Sequence, residues 1–164
     1  MNQEAVRISV IGAGHGGKAM AAEMASRGHQ VTLYNRSYDK IEVIGIRGGI
    51  ELQTEHGRVA FSPLRSMTAD IGEALAETTL VMVVVPASGH RDVALSAAPF
   101  LRDDHIVVLH PGRTGGALEF KQALLESDCS GTPIICEAET FLFAARSTGP
   151  AEARIFRTKY SVPI

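Results

Sequence analysis

Residues 6–17 read Val6-Arg7-Ile8-Ser9-Val10-Ile11-Gly12-Ala13-Gly14-His15-Gly16-Gly17, and the rest of the chain is organised around them. Val6, Ile8, Val10 and Ile11 form a short β-branched apolar run, the pattern of a strand buried on both faces. The run stops at glycine, and Gly12, Gly14 and Gly17 then fall in the spacing G-x-G-x-x-G. In that spacing the first glycine permits a tight turn, the second lets a pyrophosphate reach bare backbone, and the third lets the following helix lie close on the sheet. The free N–H groups and positive dipole end of that helix make an anion site. The stretch therefore predicts a dinucleotide cradle.

Residues 18–27 continue as a helix free of Pro and Gly, with Met20 and Met24 four apart and small Ala19, Ala21, Ala22 and Ala25 suited to close packing. Gly28 is a natural stop. Residues 30–34, Gln-Val-Thr-Leu-Tyr, alternate as a second parallel strand ending at Asn35-Arg36. A site selecting NAD carries Asp or Glu at this point for the ribose hydroxyls. Asn35 can still hydrogen-bond a ribose, and the guanidinium of Arg36 suits a 2′-phosphate, so NADP is the expected cofactor, with NAD the alternative.

The chain has 164 residues, 45% hydrophobic and 21% charged, with a formal charge of −2. That is enough for one domain with a real core, and the charge balance gives no footprint for nucleic acid or an anionic membrane. Cys129 and Cys136 match no metal or redox spacing and read as structural. No metal site is expected. There is no secretory leader pattern, and the longest apolar run is too short to span a bilayer, so a cytoplasmic protein is expected.

Residues 38–46 suggest a short helix closed by Gly48-Gly49. Residues 50–53 and 58–61 flank a turn with His56 at its tip, a β-hairpin expected as an insertion on the parallel core. Asp70 resembles an N-cap with Glu73 as its reciprocal acid. Residues 80–85, Leu-Val-Met-Val-Val-Val, form the strongest strand signal and belong in mid-sheet, so Val85, Pro86, Ala87 and Ser88 should face the same crevice as the glycines. A helix over 90–101, a strand over 106–109 and a glycine-rich loop, His110-Pro111-Gly112-Arg113-Thr114-Gly115-Gly116, follow, and that loop could offer backbone N–H groups to a ligand. Residues 134–136 form a sixth strand, and 153–164 one or two more. His29 and His105 precede strands and read as exposed. The alternation predicts a doubly wound α/β domain of Rossmann type, a parallel sheet ordered 3-2-1-4-5-6. The strand-like ending at Pro163-Ile164 suggests a piece of a longer two-domain polypeptide.

Read together, Gly-Ala-Gly-His-Gly-Gly at 12–17, Val-Val-Pro-Ala at 84–87, the decapeptide at 111–120 (Pro-Gly-Arg-Thr-Gly-Gly-Ala-Leu-Glu-Phe) and the pair Glu137 and Arg146 resemble the N-terminal domain of the opine (octopine and nopaline) dehydrogenases. The likeness spans residues 6–160. His110, Ala138 and Ala145 depart from it, standing where Asn, Thr and Cys are usual. The resemblance implies NAD(P)H-dependent reduction of the imine formed by an amino acid and a 2-oxo acid. It also implies a helical C-terminal domain, absent here, that carries the catalytic His and Asp, so no catalytic residue is assigned within this chain. The implied cofactor residues are Gly12, Gly14, His15, Gly16, Gly17, Asn35, Arg36, Val85, Pro86, Ala87, Pro111 and Gly112. Competing readings are another Rossmann reductase, such as a ketopantoate, glycerol-3-phosphate or 6-phosphogluconate dehydrogenase, or a stand-alone nucleotide-binding module. An uncovered docking face could also pair two copies as a homodimer.

Overall fold

The computed structural model describes residues 4–164. In chain order its elements are β1 (Arg7–Ile11), α1 (His15–Ser26), β2 (Gln30–Tyr34), α2 (Glu42–Arg47), β3 (Gly49–Gln53), β4 (Val59–Pro63), β5 (Ser66–Thr68) and α3 (Ile71–Leu75). They continue with β6 (Leu80–Val83), α4 (His90–Ala97), β7 (Ile106–Leu109), α5 (Gly116–Leu125), β8 (Ile134–Glu137), β9 (Phe143–Gly149) and β10 (Glu152–Thr158).

Six strands form one parallel sheet in the order β5-β2-β1-β6-β7-β8. With the hairpin left out of the count, this is the expected order 3-2-1-4-5-6. The third position, however, is held by β5, whose three residues carry no strand pattern and are placed by pairing with β2. β1 and β6 lie at the centre, as their β-branched runs require. Ile8, Val10, Val31, Leu33, Val83, Val107 and Leu109 are all essentially inaccessible. Each such side chain contributes about 1.5–3 kcal/mol on burial.

The predicted hairpin forms as β3 and β4 with His56 exposed at its turn, inserted in sequence between β2 and β5 of the parallel core. It belongs to a second, four-stranded sheet ordered β4-β3-β10-β9, in which β10 runs parallel to β3 and antiparallel to β9. α1 packs between the two sheets. Gly17, Lys18, Ala19, Met20, Ala21 and Ala22 are therefore all buried, and a helix with apolar neighbours on both sides needs small residues around its circumference rather than one apolar stripe. Lys18 accommodates the burial by donating from Nζ to Pro150 O at 2.7 Å and to Ser147 Oγ at 3.2 Å. Burial, and secondarily Lys40, pulls its pKa below the usual lysine value.

On the other face, α3, α4 and α5 cover a second core built on Val81, Val83, Val107, Leu109, Phe120 and Leu124. Asp70 caps α3 as expected, its Oδ1 accepting from Gly72 N at 2.7 Å and Glu73 N at 3.1 Å. Glu73 is not the reciprocal partner: its carboxylate accepts from Thr68 Oγ1 at 2.6 Å, and it is Thr68 that takes the Asp70 N–H. His105 is buried rather than exposed, because its Nδ1 accepts the Arg102 N–H at 2.9 Å and its Nε2 faces Leu75 O at 3.3 Å. Cys129 and Cys136 are free and half-buried. No helix among the described residues is long and apolar enough to cross a membrane.

Candidate functional site

Strand order reverses between β1 and β6, and a crevice opens there beyond the carboxyl ends of the strands, as doubly wound sheets require. A cleft of about 400 Å³ occupies it. Its base is Ile11 and Gly12, and one wall is Tyr34, Asn35 and Arg36 from the end of β2. The other wall is Val85 and Pro86 after β6, followed by Ser88, Asp92 and Ser96 leading into and along α4. Apolar Tyr34, Ile71, Val85 and Val93 alternate with the hydroxyls and charges, a lining that suits a planar heteroaromatic ring bearing a polar sugar. Burial raises the Tyr34 phenol pKa, with the Arg36 charge opposing and Asp70 adding to it.

The glycine loop is shaped by what surrounds it. Gly12 has φ +111°, and a Cβ there would meet Val84 O at 2.5 Å. A Cβ on Gly17 would overlap the Gly12 carbonyl, so both positions demand glycine for packing alone. Gly14 differs: a Cβ there would meet nothing within 4 Å and would project into open space. Bare, exposed backbone at the start of α1 is what a diphosphate needs to approach. Gly16 backs onto the Phe141 ring, whose edge-to-face partner Phe143 is 5.7 Å away. His15 is exposed, and its Nδ1 accepts the Ser147 N–H at 3.0 Å, pinning the start of α1 to β9. That bond leaves Nε2 as the nitrogen carrying the proton in the neutral ring.

Asn35 is half committed. Its Oδ1 accepts the Ala13 N–H at 3.1 Å and its Nδ2 donates to Ser37 O at 3.0 Å, so it fixes the glycine loop to β2 and keeps one lone pair and one N–H for a ligand. Arg36 stands free across the cleft mouth, its side chain 82% exposed and Nη1 4.0 Å from Asp92 Oδ2. Pro86 and Ala87 are exposed at the crevice rim. Pro111 and Gly112 lie at the carboxyl end of β7, outside the cleft. The N–H groups nearest them are already spent: Gly112 N on Ala138 O, His110 N on Val83 O, and Ala117 N on Glu137 Oε2 at 2.7 Å. Glu137 thus fills, from inside the protein, the anion position at the start of α5. The loop's expected role as donor to a ligand has no free N–H at those three positions.

Two buried histidines flank this end of the sheet. Among the described residues, His90 Nε2 and both ring nitrogens of His110 are buried without a hydrogen-bond partner. Burial lowers the pKa of His90, with Glu137 opposing, and pushes that of His110 down to about 4. Sequence reading missed the α4 wall beyond Ser88. The available signal was the four-residue spacing of Ser88, Asp92 and Ser96, which puts them on one face.

A profile of the family described as NAD-dependent glycerol-3-phosphate dehydrogenase N-terminus matches residues 7–122. The chain belongs to that family. An opine dehydrogenase from Arthrobacter sp. (strain 1C) is 33% identical to this family member over 154 residues, which are 93% of this chain and 42% of that enzyme. An octopine dehydrogenase solved with NADH and agmatine superposes with a TM-score of 0.84 at 22% identity, over 96% of this chain and 41% of that one. A yersinopine dehydrogenase with NADP+ bound superposes at 0.75 and 15% identity, over 96% and 40%. The likeness to the N-terminal domain of opine dehydrogenases is borne out, and this chain spans about two fifths of the length of these relatives.

Proposed function

We propose that this domain binds NAD(P) along the carboxyl edge of its parallel sheet and is the cofactor half of an opine-type dehydrogenase. The observation that carries the reading is the pairing of an open position at Gly14 with a cleft that runs from Gly12 to the Asn35–Arg36 wall. In it, Gly12, Gly14, Gly16 and Gly17 shape the diphosphate turn and His15 borders it. Asn35 and Arg36 take the adenosine ribose, and Arg36 favours NADP over NAD. Val85, Pro86 and Ala87 line the path toward the nicotinamide, near Pro111 and Gly112. The bound cofactor supplies hydride to the carbon of an imine formed from an amino acid and a 2-oxo acid. The catalytic acid and base belong to the part of such an enzyme that this chain does not span. Exposed Leu118, Leu125 and Ile134 offer apolar area for that part or for a second copy, and a cytoplasmic setting fits the free thiols.

The match to the glycerol-3-phosphate dehydrogenase family covers this same cofactor-binding half, so it bears on this site and leaves the substrate open. The test is titration of the purified chain with NADPH and NADH, following nucleotide fluorescence. NADPH should bind more tightly, Arg36→Ala should erase most of that preference, and Gly14→Ala should weaken both nucleotides at least tenfold. Full-strength binding by Gly14→Ala would refute the cradle.

A further inference from the structure

An acid that reads the adenosine ribose is expected at the end of β2, and this chain has Asn35 there, with both ends of its amide already hydrogen-bonded. The same cleft nevertheless contains a carboxylate. It comes from the opposite wall, in the first turn of α4, where Asp92 lines the pocket between Ser88 and Ser96. Asp92 Oδ2 is 4.0 Å from Arg36 Nη1, the Arg36 and Asp92 side chains are largely exposed at 82% and 72%, and among the described residues no other ion pair holds either one. The pair is therefore loose enough to open, and each member faces the ligand space.

We propose that Asp92 sets the domain's discrimination between the 2′-hydroxyl of NADH and the 2′-phosphate of NADPH. The proposal rests on the dinucleotide reading of this cleft. With a 2′-hydroxyl present, Asp92 accepts its hydrogen bond while Arg36 neutralises the carboxylate. With a 2′-phosphate present, Arg36 must leave Asp92 for the phosphate, and Asp92 then stands close to a second anion. At a separation of about 6 Å and a water-like dielectric, that repulsion weakens NADPH about fivefold. Arg36 and Asp92 thus oppose each other: one admits the phosphate and the other penalises it. The site is more tolerant of both cofactors than Arg36 alone would make it.

The experiment measures NADPH and NADH dissociation constants for the parent chain, Asp92→Asn and Arg36→Ala. The same titrations with adenosine 2′,5′-bisphosphate and AMP read the adenosine end without the nicotinamide. Asp92→Asn should move the NADPH-to-NADH affinity ratio about fivefold or more toward NADPH, and the bisphosphate-to-AMP ratio should move with it. An unchanged ratio, or an equal loss for both nucleotides, overturns the proposal. Failure of the parent chain to bind any of the four ligands would instead remove the dinucleotide reading itself, and this proposal with it. Thermal melting separates either result from misfolding, since Asp92 is exposed and no packing depends on it.

Discussion

The two ends of the parallel sheet handle polar groups in opposite ways. At the amino ends of the strands the charges are spent on one another. Arg65 donates to Gln30 at 2.7 Å and pairs with Glu77, which also faces Arg7 at 3.6 Å. Arg102 donates to the carbonyls of Leu75, Ala76 and Thr78 at 3.0–3.3 Å, closing the end of α3, and His105 completes the same corner. At the carboxyl ends the opposite holds. Among the described residues, Gly14 faces open space, Arg36 is held by a single 4.0 Å ionic contact, and the buried rings of His90 and His110 have unpartnered nitrogens. Polar groups left unsatisfied in this way are costly, and they collect where a fold is shaped for a ligand rather than for its own stability. The difference implies that substitutions at the two ends should separate stability from binding.

The largest expected effect is at the junction of the two roles. Gly17→Ala forces a methyl group into the Gly12 carbonyl, backbone against backbone, with no flexible side chain to yield. The expected loss is about 3 kcal/mol or more, a fall in melting temperature of roughly 6–12 °C for a domain of this size. Gly14→Ala, three residues away with nothing near its Cβ, should melt within about 2 °C of the parent while losing nucleotide affinity. Equal destabilisation by the two would erase the distinction between packing glycine and ligand glycine.

Next comes acid sensitivity. His110 is buried, and its pKa is pushed down to about 4 from the ordinary 6.5. Between those values the unfolded chain binds a proton that the folded chain refuses. Stability therefore falls as pH drops from 6.5 to 4 and is not lowered further by this group below that. The window is worth about 3 kcal/mol. His110→Asn should flatten the slope of stability against pH in that interval, measured by denaturant unfolding, and an unaltered slope would show that His110 is not the buried neutral group.

Arg102→Ala tests the closed end. It removes three carbonyl contacts at the end of α3 from a partly exposed side chain, so a loss of about 1–2 kcal/mol is expected, with NADPH and NADH affinities unchanged. Altered affinity would mean that the two ends are coupled.

How much of this could be read from the sequence depended on whether the signal was local. β1, β6 and β7 announced themselves by the apolar, β-branched runs of strands buried on both faces, β2 by its polar–apolar alternation, and Gly12 and Gly17 because the loop leaves no room for a side chain. β5 stayed hidden: Ser66, Met67 and Thr68 become a strand only through pairing with β2. The second sheet was hidden for a related reason, since the hairpin at residues 49–63 finds its partner β10 about a hundred residues later. His15 shows the same limit within the site. Its position in the glycine loop suggested a cofactor neighbour, whereas its bond to Ser147 links segments 132 positions apart.

The smallest expected effect falls on the residue with the most to do in binding. Arg36 is 82% exposed, its ionic contact with Asp92 is at the outer limit for an ion pair, and salt screens such contacts readily. Side chains of this kind contribute within about 0.5 kcal/mol of zero to folding. Arg36→Ala should therefore unfold with the same denaturant midpoint as the parent, at both low and high salt, while its NADPH affinity falls. A clear loss of stability at low salt that disappears at high salt would show that the Arg36–Asp92 pair is holding the fold. The carboxyl end would then no longer stand apart from the amino end as the side kept open for a ligand.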